Sequence, residues 1–161
     1  MRAVYWAARI GLAALMLQMG AAAAGEGLPR YASLDRNEVY LREGPTYKHR
    51  VLWVYRKKGL PVKIIAQYDV WRRIQDWQGS VGWIHASMLS DARTVIVTGK
   101  KQAPIRENPD QSSKILALAK PGVIAKLEAC RADACEVSAS GTDGWIDKKN
   151  IWGVSASERF R

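Results

Sequence analysis

Cys130 and Cys135 are the only cysteines of the chain, and they frame Arg131-Ala132-Asp133-Ala134. Three chemistries are open to two thiols. A redox pair normally has about two intervening residues at a helix start, which is not the pattern here. A metal centre needs more ligands, and the only histidines, His49 and His85, lie far upstream. A structural disulfide is the simplest use of an even pair in an exported chain. Four intervening residues suit a strand–turn–strand, whose facing positions bring side chains within bridging reach. Once bridged, neither sulfur is a nucleophile.

The other groups that do chemistry are poorly arranged for it. His49 sits between Lys48 and Arg50, and neighbouring cations disfavour taking up a proton. His85 follows Trp83-Ile84 at a strand end, a place for a surface or hydrogen-bonded structural residue. The carboxylates Asp35, Glu43, Asp69, Asp76, Asp110, Asp133 and Asp143 are scattered, mostly in turns. Glycosidase chemistry would need two of them to converge. There is no His-Glu-x-x-His, no phosphate-cradling Gly-rich loop ending in Lys, and no Gly-x-Ser-x-Gly. The reading is a protein without catalysis, metal or cofactor.

Export is read from the N-terminus. Arg2 and Arg9 supply positive charge, Ile10 to Met19 a short apolar stretch, and Ala21 to Ala24 a cleavage zone before Gly25. The apolar stretch, interrupted by Gln18, falls short of the roughly 20 residues that span a bilayer. Residues 1–24 are therefore expected to be a signal peptide. The mature chain is expected in the periplasm or outside the cell, without a transmembrane anchor.

The mature chain repeats itself. Leu41-Arg42-Glu43-Gly44-Pro45 recurs 64 positions on as Ile105-Arg106-Glu107-Asn108-Pro109, and Gly82-Trp83-Ile84 recurs 62 positions on as Gly144-Trp145-Ile146. The copies share an order and differ by a small deletion. Short β-branched and aromatic segments, among them Val51–Tyr55, Leu60–Ala66, Val70–Gln75 and Val123–Cys130, alternate with Gly, Pro and Asp turns. No long segment carries a clean helical period. The expected domains are residues 30–90 and 93–154, with 155–161 as a C-terminal tail. At the spacing of 64, Cys130 falls on Ala66 and Cys135 on Trp71. The disulfide is then expected to replace the packing that Trp71 gives its own hairpin.

The Leu-Arg-x-Gly-Pro turn, the Trp71-to-Ile74 strand and the terminal Gly-Trp-Ile resemble bacterial SH3-like (SH3b) domains. Copy one matches through Leu41 to Pro45, Trp71 to Ile74 and Gly82 to Leu89. Copy two matches at Ile105 to Pro109 and Gly144 to Ile146, and departs with Asn108 for Gly and Cys135 for Trp. The resemblance implies an all-β fold of two tandem small SH3-like β-barrels, without chemistry of their own. It also implies a stand-alone module of the cell envelope, associated with peptidoglycan recognition.

Charge and aromatic surplus both favour copy one as the ligand carrier. The formal net charge of +10 falls to about +8 without residues 1–24. Residues 30–90 hold 11 Lys/Arg against 5 Asp/Glu, while 91–161 hold 12 against 9. Strand alternation sets Trp71 and Arg73 opposite Arg72 and Ile74, and Ile74 is the better core residue. Trp71 is then expected at least partly on the surface, and Trp77 lies in the polar turn Asp76-Trp77-Gln78-Gly79. With Tyr40, Tyr47, Lys48, Arg50 and the Arg56-Lys57-Lys58 cluster they are expected to line a groove. Aromatic faces suit sugar rings or peptide side chains, and the cations suit the carboxylates of stem peptides or other anionic envelope polymers. The plainer use of the same residues is to cover the barrel ends and keep the protein soluble. An envelope protein bound through a peptide is the alternative partner. Nucleic acid suits the composition but not an exported address.

Overall fold

The computed structural model describes residues 27–161. The signal expected over residues 1–24 lies outside the described residues. The first repeat forms β1 (Arg30–Leu34), β2 (Val39–Arg42), β3 (Val51–Tyr55), β4 (Pro61–Tyr68), β5 (Trp71–Gln75), β6 (Val81–His85) and β7 (Leu89–Ser90). The second forms β8 (Thr94–Val97), β9 (Ala103–Arg106), β10 (Ile115–Ala119), β11 (Ile124–Cys130), β12 (Ala134–Ala139), β13 (Thr142–Asp147) and β14 (Ile151–Trp152). Single 3-10 turns, Ala86–Met88 and Lys148–Asn150, precede β7 and β14. No α-helix occurs among the described residues.

Each repeat is a seven-stranded antiparallel sheet, in the orders β3-β2-β6-β5-β4-β1-β7 and β10-β9-β13-β12-β11-β8-β14. Strand for strand, the second order is the first moved along the chain. The expected all-β pair is therefore present. Closure into barrels is a finer matter, because no hydrogen-bonded pair joins β3 to β7 or β10 to β14 among the described residues.

The irregularities repeat as well. The register of β2 with β3 slips between Leu41 and Arg42, leaving Leu52 unpaired, and β9 with β10 leaves Leu116 unpaired at the equivalent place. On the β4–β5 and β11–β12 hairpins the extra residues are Ile65 and Glu128. Such bulges bend a strand and sharpen its twist, as a small sheet must to wrap its own core.

Register corrects the expected alignment of the cysteines. Ile64↔Ile74 corresponds to Leu127↔Val137, a displacement of 63 rather than 64 positions. Gln67↔Arg72 is then the counterpart of Cys130↔Cys135, and Trp71 corresponds to Ala134. A residue is lost between the turn motif and β11, and a slip of one exchanges the faces of a strand. The disulfide therefore points inward, with Cys130 and Cys135 only 3% and 0% exposed and joined to the second core. It does not stand in for Trp71.

The two cores meet at β8. Val95 and Val97 enter the second core, while Ile96 between them enters the first, as alternation requires. Ile124 and Trp152 of the second repeat also pack on the first core, and Trp152 meets Tyr31 edge-on at 5.3 Å. Thr94 Oγ1 donates to the Gly59 carbonyl at 2.7 Å across the same seam. The chain beyond Val154 is docked too. Phe160 exchanges backbone hydrogen bonds with Cys130 at 2.9 and 3.1 Å, and packs against the second core.

Candidate functional site

Arg42 organises the basic loop that follows β2. Its guanidinium donates to the carbonyls of Tyr47 at 3.1 Å and His49 at 3.0 Å. Arg106 makes the equivalent bond to Ser113 at 2.9 Å, so the device belongs to the repeat rather than to a ligand. His49 packs against Gly44, where any Cβ would collide with the imidazole. The loop is thereby folded back toward β5.

Tyr47 covers Trp71. Their rings are 4.9 Å apart and steeply inclined, and His85 lies 5.5 Å from the same indole. Trp71 is only 6% exposed, against the expectation that it reaches the surface. Alternation placed it on the correct outer face, opposite Ile74. It gave no sign of the loop tyrosine and strand-end histidine that close over it. Tyr47 itself is 67% exposed, and the Arg42 guanidinium lies 5.4 Å from its ring centre and 6.0 Å from that of Tyr40. Hydrogen bonding to Glu38 raises the pKa of the exposed Tyr40 hydroxyl. Lys48 and Arg50 are exposed beside this patch, Arg50 at 3.8 Å from Glu43.

Trp77 is elsewhere. Asp76, buried in the same turn, accepts from the Tyr55 hydroxyl at 3.0 Å and from the N–H groups of Gln78 and Ser80 at 2.9 and 2.8 Å. Burial first, and then the Asp76 carboxylate, push the Tyr55 hydroxyl far above its usual range. The stapled turn lays Trp77 against the first core, half-buried. There it lines a groove of about 420 Å³ with Trp53, Tyr55, Leu60, Arg56 and Lys57, and with Ile96 and Gly122 from the second repeat.

The six candidate residues thus divide. Tyr40, Tyr47, Lys48 and Arg50 lie on the outer patch, Trp71 beneath it, and Trp77 in the groove between the repeats. Trp53 was missed as a site residue. It is 59% exposed on β3, which ends the sheet order and has one neighbour. The signal was present in Val51-Leu52-Trp53-Val54-Tyr55, five apolar residues in succession, since one buried face accepts only alternate positions.

Among the described residues no group of three or more His, Cys, Asp or Glu is placed to hold a metal ion. A match to the bacterial SH3 domain covers residues 35–91 and again 99–153.

The chain belongs to the bacterial SH3 domain family.

As a tandem of bacterial SH3 domains, it carries the same domain twice in succession. No curated protein matches the sequence. Among solved structures the tandem SH3 chain is similar to NlpC2 of Trichomonas vaginalis at 13% identity, over 77% of this chain and 48% of that one, with a TM-score of 0.36. NlpC1 of the same organism is similar at 12% identity, over 85% and 50%, also with a TM-score of 0.36. An NlpC/P60 family protein of Bacillus cereus is similar at 13% identity, over 76% and 55%, with a TM-score of 0.34. The tandem SH3 chain spans about half the length of each.

Proposed function

We propose that this tandem SH3 protein is an exported, non-catalytic module that binds peptidoglycan or another anionic polymer of the bacterial envelope through its first domain. In this reading residues 1–24 direct export, residues 30–90 and 93–154 form two small SH3-like barrels, and residues 155–161 are the tail. One observation carries the reading. The net positive charge is concentrated in the repeat that also exposes Tyr40, Tyr47 and Trp53. Ring faces beside cations suit a polymer of sugars and carboxylates. No helix among the described residues is long and apolar enough to cross a membrane.

Co-sedimentation with purified, protein-free peptidoglycan at low and physiological salt tests the reading. Saturable retention that survives added salt supports it. Retention abolished by salt reduces the interaction to charge attraction, and no retention at either salt refutes it.

A second reading, an adaptor for an envelope protein, is favoured by a different feature. The outermost strands of both sheets expose apolar residues: Val51, Leu52 and Trp53 on β3, and Ile115, Leu116 and Leu118 on β10. Unpaired strand edges add peptides as further strands. Specific capture of one partner, without retention on the wall polymer, distinguishes this reading.

A further inference from the structure

We propose that the second repeat holds a binding pocket for a positively charged aromatic group, in the space where the first repeat packs Tyr47, Trp71 and His85. This goes beyond the wall-binding reading and is independent of it.

Register and hydrogen bonds bring the two places into correspondence. Trp71 pairs with His85 across β5 and β6, and Ala134 pairs with Asp147 across β12 and β13. The Ala86 N–H donates to the Val70 carbonyl at 2.8 Å, and the Lys148 N–H donates to the Asp133 carbonyl at 2.9 Å. In the loop after β2 the His49 N–H donates to the Thr46 carbonyl. In the loop after β9 the Ser113 N–H donates to the Asp110 carbonyl, which aligns Gln111 with Tyr47. Three rings of the first repeat are thus Gln111, Ala134 and Asp147 in the second. The rings lie 4.9 to 6.0 Å from one another. In the second repeat the same framework surrounds a cavity of about 310 Å³, lined by Gln111, Ala132, Asp133, Asp147 and Ala156 beside two lysines. That is within the roughly 300–1,000 Å³ of small-molecule sites.

The cavity has a wall of its own. Lys148 Nζ donates to the carbonyls of Ala156 at 3.1 Å and Glu158 at 2.6 Å, which draws the C-terminal segment alongside. The equivalent position of the first repeat is Ala86, which has no such amine. These bonds occupy the Lys148 amine. Lys149 is exposed and stands 3.4 Å from Asp147, a surface pair that a ligand displaces at little cost. Asp133 makes no ion pair among the described residues. The unengaged charge of the lining is therefore a carboxylate.

Shape and charge select the same occupant. The framework accommodates rings, because rings fill it one repeat earlier. Aromatic rings are positive at their edges, so the Asp147 carboxylate, standing where the first repeat has His85, suits a ring edge or an indole N–H. An ammonium or guanidinium carried by the ring satisfies Asp133. A ring bearing a carboxylate meets like charge, and a cation without a ring leaves the space unfilled.

The test titrates the whole protein with tryptamine, indole-3-acetate and butylamine, followed by the NMR methyl signals of Ala132 and Ala156. Saturable shifts at both alanines with tryptamine, and at least tenfold weaker binding of the other two, support the proposal. Asp133→Asn should weaken tryptamine at least tenfold. Ala134→Trp, which restores a ring of the first repeat, should abolish the shifts. Asp133 is exposed, so Asp133→Asn keeps the fold and decides the matter if Ala134→Trp does not fold. An acetylated, amidated Trp-Lys dipeptide carries ring and charge on neighbouring side chains. Tighter binding of the dipeptide than of tryptamine assigns the pocket to a peptide, and the reverse to a free aromatic amine. Indole-3-acetate or butylamine binding as tightly as tryptamine overturns the proposal. So does an affinity unchanged in Asp133→Asn, or no saturable shift at millimolar tryptamine.

Discussion

The Tyr55 hydroxyl donates to the buried Asp76 carboxylate at 3.0 Å, joining the end of β3 to the β5–β6 turn. Two residues far apart in sequence thereby fix the indole between Asp76 and Gln78, and with it one wall of the groove.

Removing that link is expected to cost stability. Tyr55→Phe leaves Asp76 two backbone donors and should lower unfolding free energy by about 1 kcal/mol. Asp76→Ala strips the acceptor from three donors and should cost about 1–3 kcal/mol or more. Urea titrations followed by circular dichroism measure both. Equal stability of wild type and Asp76→Ala would contradict the stapling role.

Trp71 and Trp53 should separate structure from surface. Trp71 is enclosed by Tyr47 and His85, so Trp71→Ala should destabilise the protein by about 3–5 kcal/mol. Trp53 is largely exposed, and Trp53→Ala should stay within about 0.5 kcal/mol. The comparison needs only thermal or denaturant melts of the two variants beside wild type.

Glycine is required where β6 crosses β2 and where β13 crosses β9. A Cβ at Gly82 would lie 2.7 Å from Leu41 Cγ and 2.8 Å from the Arg42 carbonyl oxygen. At Gly144 it would lie 2.6 Å from the Arg106 carbonyl oxygen. Alanine at either site should cost about 1–3 kcal/mol by forcing the strands apart. Similar losses in both variants, read from denaturation midpoints, would show that the repeats use the same close approach.

The docked C-terminus should respond to acid. Burial raises the Glu158 pKa, but hydrogen bonds from Arg93 and the Ser155 N–H outweigh it, and the net shift is downward. A depressed carboxylate stabilises the folded state above its ordinary titration range, and that contribution is lost as pH falls through the lowered value. Below about pH 4 the segment around Phe160 should become more accessible to an acid-active protease. Glu158→Gln should release it already at neutral pH. Cleavage of the variant no faster than wild type at pH 7 would count against the Arg93–Glu158 clamp.

Reducing the Cys130–Cys135 bridge should cost about 2 kcal/mol, the modest entropy of a short closed loop. The loss should fall on the second repeat. Amide exchange in β11 and β12 measures where protection drops.

Much of this protein was legible along the chain. Alternation set Ile74 and Trp71 on opposite faces, because successive side chains of a strand point apart wherever the strand sits. The recurring turn and Gly-Trp-Ile elements declared the repeat, and the spacing of Cys130 and Cys135 declared a hairpin bridge. These are local properties, fixed by covalent geometry and near neighbours. Tertiary structure alone decided what covers each face. Tyr47 and His85 reach Trp71 from a loop and a strand end, and Ile96 crosses into the neighbouring core. Trp53 is left bare because its strand ends the sheet. The inward turn of the disulfide depended on where one residue was lost, since a single step exchanges the faces of a strand. Burial is a property of three-dimensional neighbours, and here those neighbours come from distant segments of the chain.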